Sequence, residues 1–287
     1  MNTPKNNVLI IAGMHRSGTS LVSHWLNSCG LNLGETLLGA DIGNVEGHFE
    51  DLDFYRFHED TLAAHHLSKF GFTTQPVKAL SEYEEEKLKS IIYLKNKMNR
   101  QWGWKDPRTC LFLAHYRRLI PDARYLNIVR HYKATINSMI IRDFKHHEKK
   151  YLKRKWPSRV IWNVFRRQKQ LNRFYSELAP LYLGVWIAYN EELIKNASLA
   201  PDDSYLFTDY SQLIDNDKTV FSHLTGNWHF DLQYYDFRKI FKENLLSPVV
   251  DIDHWINNED ILKKAKSLER KLKELCVEKK ILQKELR

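Results

Sequence analysis

Residues Gly13-Met14-His15-Arg16-Ser17-Gly18-Thr19-Ser20 place two glycines, a guanidinium and three hydroxyls within eight positions, a set suited to holding a phosphate. Before them, Asn7-Val8-Leu9-Ile10-Ile11-Ala12 has the length and β-branched content of a buried parallel strand. After them, apolar residues at 21, 22, 25, 26 and 29 mark one face of a helix, and Gly30 is placed to end it. Strand, glycine-bounded loop and helix together aim backbone N–H groups and a helix N-terminus at an anion.

The type of phosphate follows from what the loop lacks. A loop that hydrolyses nucleoside triphosphates reads GxxxxGK[ST], with lysine for the β- and γ-phosphates and a hydroxyl for Mg²⁺. Here the Gly13–Gly18 spacing is kept, Thr19 stands at the lysine position, and the cation has moved inside the loop to Arg16. Arg16 is expected to reach a bridging or terminal oxygen, while Thr19, Ser20 and the N–H groups of 17–20 hold a 5′-phosphate. Such a site suits a donor with less charge to neutralise than a triphosphate.

His15-Arg16-Ser17-Gly18-Thr19-Ser20-Leu21 resembles the 5′-phosphosulfate loop, [PH]-[KR]-S-G-T-[TS], of sulfotransferases that use 3′-phosphoadenosine-5′-phosphosulfate (PAPS). The form with Arg is similar to that of tyrosylprotein and bacterial carbohydrate sulfotransferases. The resemblance implies a P-loop-like α/β fold, with residues 15–20 holding the donor's 5′-phosphate and sulfonate. In the same family the second fingerprint is an Arg at a strand's end and a Ser about eight residues later, gripping the 3′-phosphate. Here Arg124–Val129 reads as the second buried strand, it runs into Arg130, and Ser138 follows on the next helix, expected over 133–143. A charge-assisted guanidinium fork plus a hydroxyl is sound chemistry for a phosphate.

The acceptor side is less sharply written. Gly47-His48-Phe49-Glu50 resembles the G-[HY]-[FW]-E element that carries the catalytic carboxylate in bacterial members, which points at Glu50 as general base. By chemical type His48 comes next, then Glu46 and Asp51; alternatively, Glu50 or Asp51 caps the following helix. Lys105-Asp106-Pro107-Arg108 resembles another element of that family. Asp106 as N-cap with Pro107 at the first helical position explains it structurally, starting a helix over 109–119; Lys105 and Arg108 would then sit where they can contact donor or acceptor. Arg16, helped by Lys105 or Arg108, would stabilise charge growing on the leaving phosphate oxygen. No metal is expected, because a sulfonate brings a single negative charge.

Two other classes fit parts of the pattern. An ATP- and Mg²⁺-dependent small-molecule kinase would share the loop geometry but would want lysine at 19 or an acidic strand end; Asp209, after the strand Tyr205–Thr208, is the nearest candidate. A non-catalytic nucleotide-binding protein would keep the donor site, dispense with Glu50, and assemble through its C-terminal helix.

The elements that must position these residues amount to an α/β unit with a central parallel sheet flanked by helices, spanning 1–258, followed by a coiled-coil-like helix over 259–287. At 287 residues the chain buries a sizeable core without covalent staples, and its three scattered cysteines, Cys29, Cys110 and Cys276, suit a reducing compartment. No signal sequence or spanning segment is read, so a cytoplasmic protein, or one held peripherally at a membrane by surface contacts, is expected. The formal net charge is +9, yet between Phe144 and Phe174 eleven Lys and Arg face Glu148 alone. This basic insertion, about 144–178, is interleaved with aromatics and reads as partly helical. It would serve an anionic acceptor, a membrane surface or simple solvation; no nucleic-acid motif accompanies it. The acceptor is expected to be a glycan or other hydroxyl compound. Ile261, Ala265, Leu268, Leu272, Leu275, Lys279, Leu282 and Leu286 form a heptad seam, for which self-association or a further domain is expected.

Overall fold

The computed structural model describes residues 6–39, 49–153, 155–209, 211, 213–241 and 249–276. Its centre is a parallel sheet of four strands among the described residues, β1 (Asn7–Ala12), β2 (Gln101–Lys105), β3 (Arg124–Val129) and β4 (Tyr205–Asp209), in the order β2-β1-β3-β4. β1 pairs in parallel with β2 on one side, Leu9 opposite Gly103, and with β3 on the other, Ile11 opposite Leu126. Strand order reverses at β1, and ligands of such sheets bind beyond the carboxyl ends of the strands at that point. The loop 13–18 and Arg130 both leave from there.

Parallel strands need both faces covered, which accounts for their near-continuous apolar runs. Leu9, Ile11, Leu126 and Ile128 face α1 (Thr19–Ser28), where Val22, Trp25 and Leu26 are buried, and the segment around Phe230 and Phe237. Val8, Ile10, Ala12 and Tyr125 face the larger layer. That layer comprises α2 (Leu52–Ala64), α3 (Glu82–Met98), α4 (Leu113–Leu119), α5 (Tyr132–Leu152), α7 (Arg167–Ser198) and α9 (Glu259–Leu275). Between α5 and α7 lie the short α6 (Ser158–Ile161) and a π-turn, Trp162–Arg166; α8 (Leu213–Ser222) follows β4.

Several expectations change. β2 is a strand over residues that the sequence reading left unassigned. The helix expected over 109–119 is two pieces: Asp106 caps a 3₁₀ turn, Pro107–Leu111, by accepting from the Arg108 N–H at 2.8 Å, and α4 begins only at Leu113. α5 continues to Leu152 instead of ending at Asp143, and α7 starts at Arg167, carrying Pro180 within it, so the basic insertion is largely a helical hairpin. The heptad seam packs inward as far as it is described. Ala265, Leu268 and Leu272 are buried in the same core as α7, and Cys276 forms a bridge beside Phe207 of β4. A 3.5-residue apolar period requires a facing apolar surface, and here the domain supplies it. Residues 279, 282 and 286 of the seam lie outside the described residues.

Candidate active site

The phosphate-type loop is shaped by its backbone. Gly18, with φ +94°, is the left-handed N-cap of α1, and Arg16 adopts φ +66°, a conformation that non-glycine residues rarely hold. Ser17 is buried and its N–H bonds to Met14 O at 3.1 Å. Like the start of any helix, that of α1 presents N–H groups without intrahelical acceptors toward the loop.

Arg16 joins the two expected donor motifs. Its Nε donates to Ser138 Oγ at 3.0 Å, and Arg130 Nη1 donates to the Arg16 carbonyl at 2.8 Å. The structure therefore brings Arg16, Arg130 and Ser138 into one group. Residues from β3's end and from α5 brace the loop that leaves β1.

A second group starts from β2. Lys105, fully buried at the end of that strand, donates to Ser20 Oγ at 3.0 Å and to Glu50 Oε1 at 2.9 Å. Glu50 reaches it because of how its segment is held. Leu38 N–H bonds to Glu50 O and Leu52 N–H to Thr36 O, a short antiparallel bridge in which neighbouring side chains point opposite ways. Asp51 thus turns to Lys95 Nζ at 2.7 Å and caps α2 by accepting from the Asp53 N–H; Lys95 also pairs with Glu35. Of the two functions weighed for neighbouring acids, helix capping falls to Asp51, leaving Glu50 facing the site. His48 and Glu46 lie outside the described residues.

Around these groups lies a cavity of about 450 Å³ lined by His15, Arg16, Thr19, Ser20, Glu50 and Arg108, among others. Lys105, Arg130 and Ser138 each hydrogen-bond to residues of this lining. Arg108 is committed to structure: its Nε and Nη2 fork onto Asp106 at 3.0 and 2.7 Å, its Nη1 holds Lys69 O at 3.0 Å, and its guanidinium lies 4.1 Å from the Tyr55 ring centre. Burial opposes ionisation of Asp106, but Arg108 and His58, whose Nδ1 is 3.1 Å away, hold its carboxyl well below the usual range. Burial, reinforced by Arg142, Arg108 and Lys105 against an opposing pull from Asp106, pushes the His15 imidazole down to about 3. His15 is therefore neutral at ordinary pH. Its ring packs against Phe72 and Tyr189, and its Nε2 is buried with no hydrogen-bond partner among the described residues.

Sequence reading missed part of this wall. Arg142 and His146 follow Ser138 at successive intervals of four, so all three share one face of α5; that periodicity was an available signal for Arg142, inside the expected helix, and for His146 once α5 is known to continue. Tyr55, Phe70 and Phe72 carried none. The segment 69–72 is drawn to the site by long-range contacts, Tyr189 Oη donating to Gly71 O at 2.8 Å and Arg142 lying over Phe72.

A parallel sheet with a glycine-bounded loop at its switch point and an Arg/Ser pair from the next crossover defines a P-loop-like group-transfer fold. The model of the sulfotransferase family matches residues 9–225, and the chain belongs to that family. Among solved structures, sulfotransferase STF9 from Mycobacterium avium is 14% identical, with TM-score 0.51 over 94% of this chain and 78% of that one. The sulfotransferase domain of the Synechococcus PCC 7002 olefin synthase is 16% identical, with TM-score 0.47 over 94% and 97%. The likeness to STF9 concerns the fold. A comparison with curated protein sequences returns no match.

Proposed function

We propose that this protein transfers a sulfuryl group from PAPS to an acceptor hydroxyl, with a carbohydrate as the acceptor class. The observation that carries the reading is the continuous line Glu50–Lys105–Ser20, which runs from the cavity wall to the phosphate-type loop through contacts of 2.9 and 3.0 Å. It joins a carboxylate able to take a proton to the place where a phosphosulfate would sit. The residues present suit such a donor: a helix N-terminus, two hydroxyls and Arg16 on the 5′ side, and Arg130 with Ser138 on the 3′ side.

When bound, PAPS supplies an electrophilic sulfur and a phosphate leaving group. Thr19, Ser20 and the loop N–H groups hold the 5′-phosphate, and Arg16 stabilises the charge that grows on the leaving oxygen. Arg130 and Ser138 hold the 3′-phosphate, which requires Arg16 to move off Ser138. Glu50 receives the acceptor's proton as the new oxygen–sulfur bond forms, and Lys105 fixes the orientation of Glu50 relative to Ser20. Aromatic walls at Tyr55, Phe70 and Phe72, alternating with Asp106, Asp143 and His146, support a sugar as the acceptor, because flat apolar faces and converging polar groups match its two kinds of surface. His15 Nε2 is left to pair with an acceptor group.

Calorimetry with 3′,5′-ADP, ADP and ATP, each with and without Mg²⁺, tests the donor assignment. Metal-independent preference for 3′,5′-ADP, weakened about 10- to 100-fold in Arg130→Ala, is expected for loss of a charged hydrogen bond. Preference for Mg·ATP would overturn it.

A further inference from the structure

The far end of the α5–α7 hairpin is a built unit whose outer surface lacks cover among the described residues. Inside it, Trp162 is buried, stacks on Tyr151 at 3.8 Å and donates from Nε1 to Glu148 Oε1 at 3.3 Å; Arg167 Nε meets the same oxygen at 2.6 Å. The one acid of the basic segment is thereby turned inward. Outside it, Trp156 is 80%, Phe165 73% and Val164 66% exposed, with Val160 and Ile161 also open to solvent. Lys149, Lys150, Lys153, Lys155, Arg159 and Arg166 are exposed around them.

Large apolar side chains ringed by long cations, with no exposed acid among them, match the boundary of an anionic bilayer. The aromatic and aliphatic groups enter the acyl edge and the ammonium and guanidinium heads stay among the phosphates. Among the described residues no helix is long and apolar enough to cross a membrane, so the contact is interfacial. A second copy of the tip would bring like charge against like. A nucleic acid would stack on Trp156 and Phe165 but leave Val160, Ile161 and Val164 in water. We propose that residues 149–166 dock this protein on an anionic lipid surface, independently of the identity of its sulfuryl donor.

The test is flotation of the full chain with phosphatidylcholine vesicles and with vesicles containing phosphatidylserine, at low and physiological salt. Expected is a preference of about tenfold or more for the anionic vesicles, reduced by salt. It should be lost by a similar factor both in V164D/F165D and in K149E/K153E, with 3′,5′-ADP binding and circular dichroism unchanged. These positions are exposed, so the variants keep the core intact, and Trp156→Ala, expected to weaken binding while removing one blue-shifted emission component, gives an independent reading. Equal binding to neutral vesicles, or none to anionic ones, overturns the proposal. So does tight binding of a soluble polyanion such as RNA or heparin that V164D/F165D leaves intact, or a dimer in solution that the same variants dissociate.

Discussion

Glu50 and Lys105 are held together out of water, and removing either strips the other of its buried counter-charge. Lys105→Met is therefore expected to cost about 3–5 kcal/mol of stability, with much of the loss recovered in the double variant Glu50→Gln/Lys105→Met; chemical denaturation of the four proteins measures the coupling. Glu50→Gln alone keeps the shape and a hydrogen bond for Lys105, so it separates structure from chemistry. Sulfuryl transfer should drop by about 10²–10⁴-fold while 3′,5′-ADP binding stays within about twofold. A transfer rate left unchanged would move the base elsewhere. Asp106 illustrates a different economy: one carboxylate caps the 3₁₀ turn, receives the Arg108 fork and lies beside His58, so its replacement is expected to disturb folding before chemistry.

Among the elements, the segment 69–72 and α9 make the sharpest predictions. Gly71 has φ +78°, and a Cβ there would lie 2.4 Å from Tyr189 Oη and 2.8 Å from Arg108 Cγ. Gly71→Ala is expected to destabilise by about 1–3 kcal/mol, from left-handed strain and overpacking, and to weaken acceptor binding more than nucleotide binding; thermal unfolding and a KM-against-kcat comparison check it. Leu272→Ala on α9 is expected to cost about 2–5 kcal/mol, as for other core leucines, without changing the oligomeric state. A cost near zero together with dissociation of an oligomer would restore the seam to an intermolecular role. These two elements also mark where the sequence was and was not legible. The stretch from Asn7 to Gly30 was readable because its strand, loop and helix signals are local and agree. Ser138 was legible, being eight residues from Arg130, and Arg142 lay one turn further along the expected helix without a motif to mark it, but His146 was not legible, because nothing local says that α5 runs past Asp143. Phe70, Gly71 and Phe72 reach the cavity through contacts distant in sequence, among them those with His15, Tyr182, Tyr189 and Arg142. The heptad period specified an apolar stripe correctly but could not name its partner. β2 was missed because Trp-Gly-Trp-Lys interrupts a strand pattern with glycine, which the close pass of β1 demands: a Cβ on Gly103 would lie 2.3 Å from Leu9 O.

For the whole molecule, burial of neutral imidazoles ties stability to pH. His15 is pushed down to about 3 from an ordinary 6.5, chiefly by burial, and His58 and His115 are lowered for the same first reason. The unfolded chain takes up these protons at higher pH than the folded one, so stability falls as the pH drops below about 6.5 and acid favours unfolding. The melting temperature is expected to fall from about pH 7 to about pH 5, and less steeply in His15→Asn. Larger geometry has its own consequence. α5 carries Ser138 near its start, Arg142 and His146 on the cavity wall, and Lys149 and Lys150 near its end. From Ser138 to Leu152 a helix rises about 21 Å, and it does not stretch. If the hairpin tip rests on a lipid surface, this rod acts as a ruler that holds the cavity at a fixed height above the headgroups. Acceptors would then be sorted by reach as well as by shape, and a hydroxyl on too short a stem would never meet Glu50.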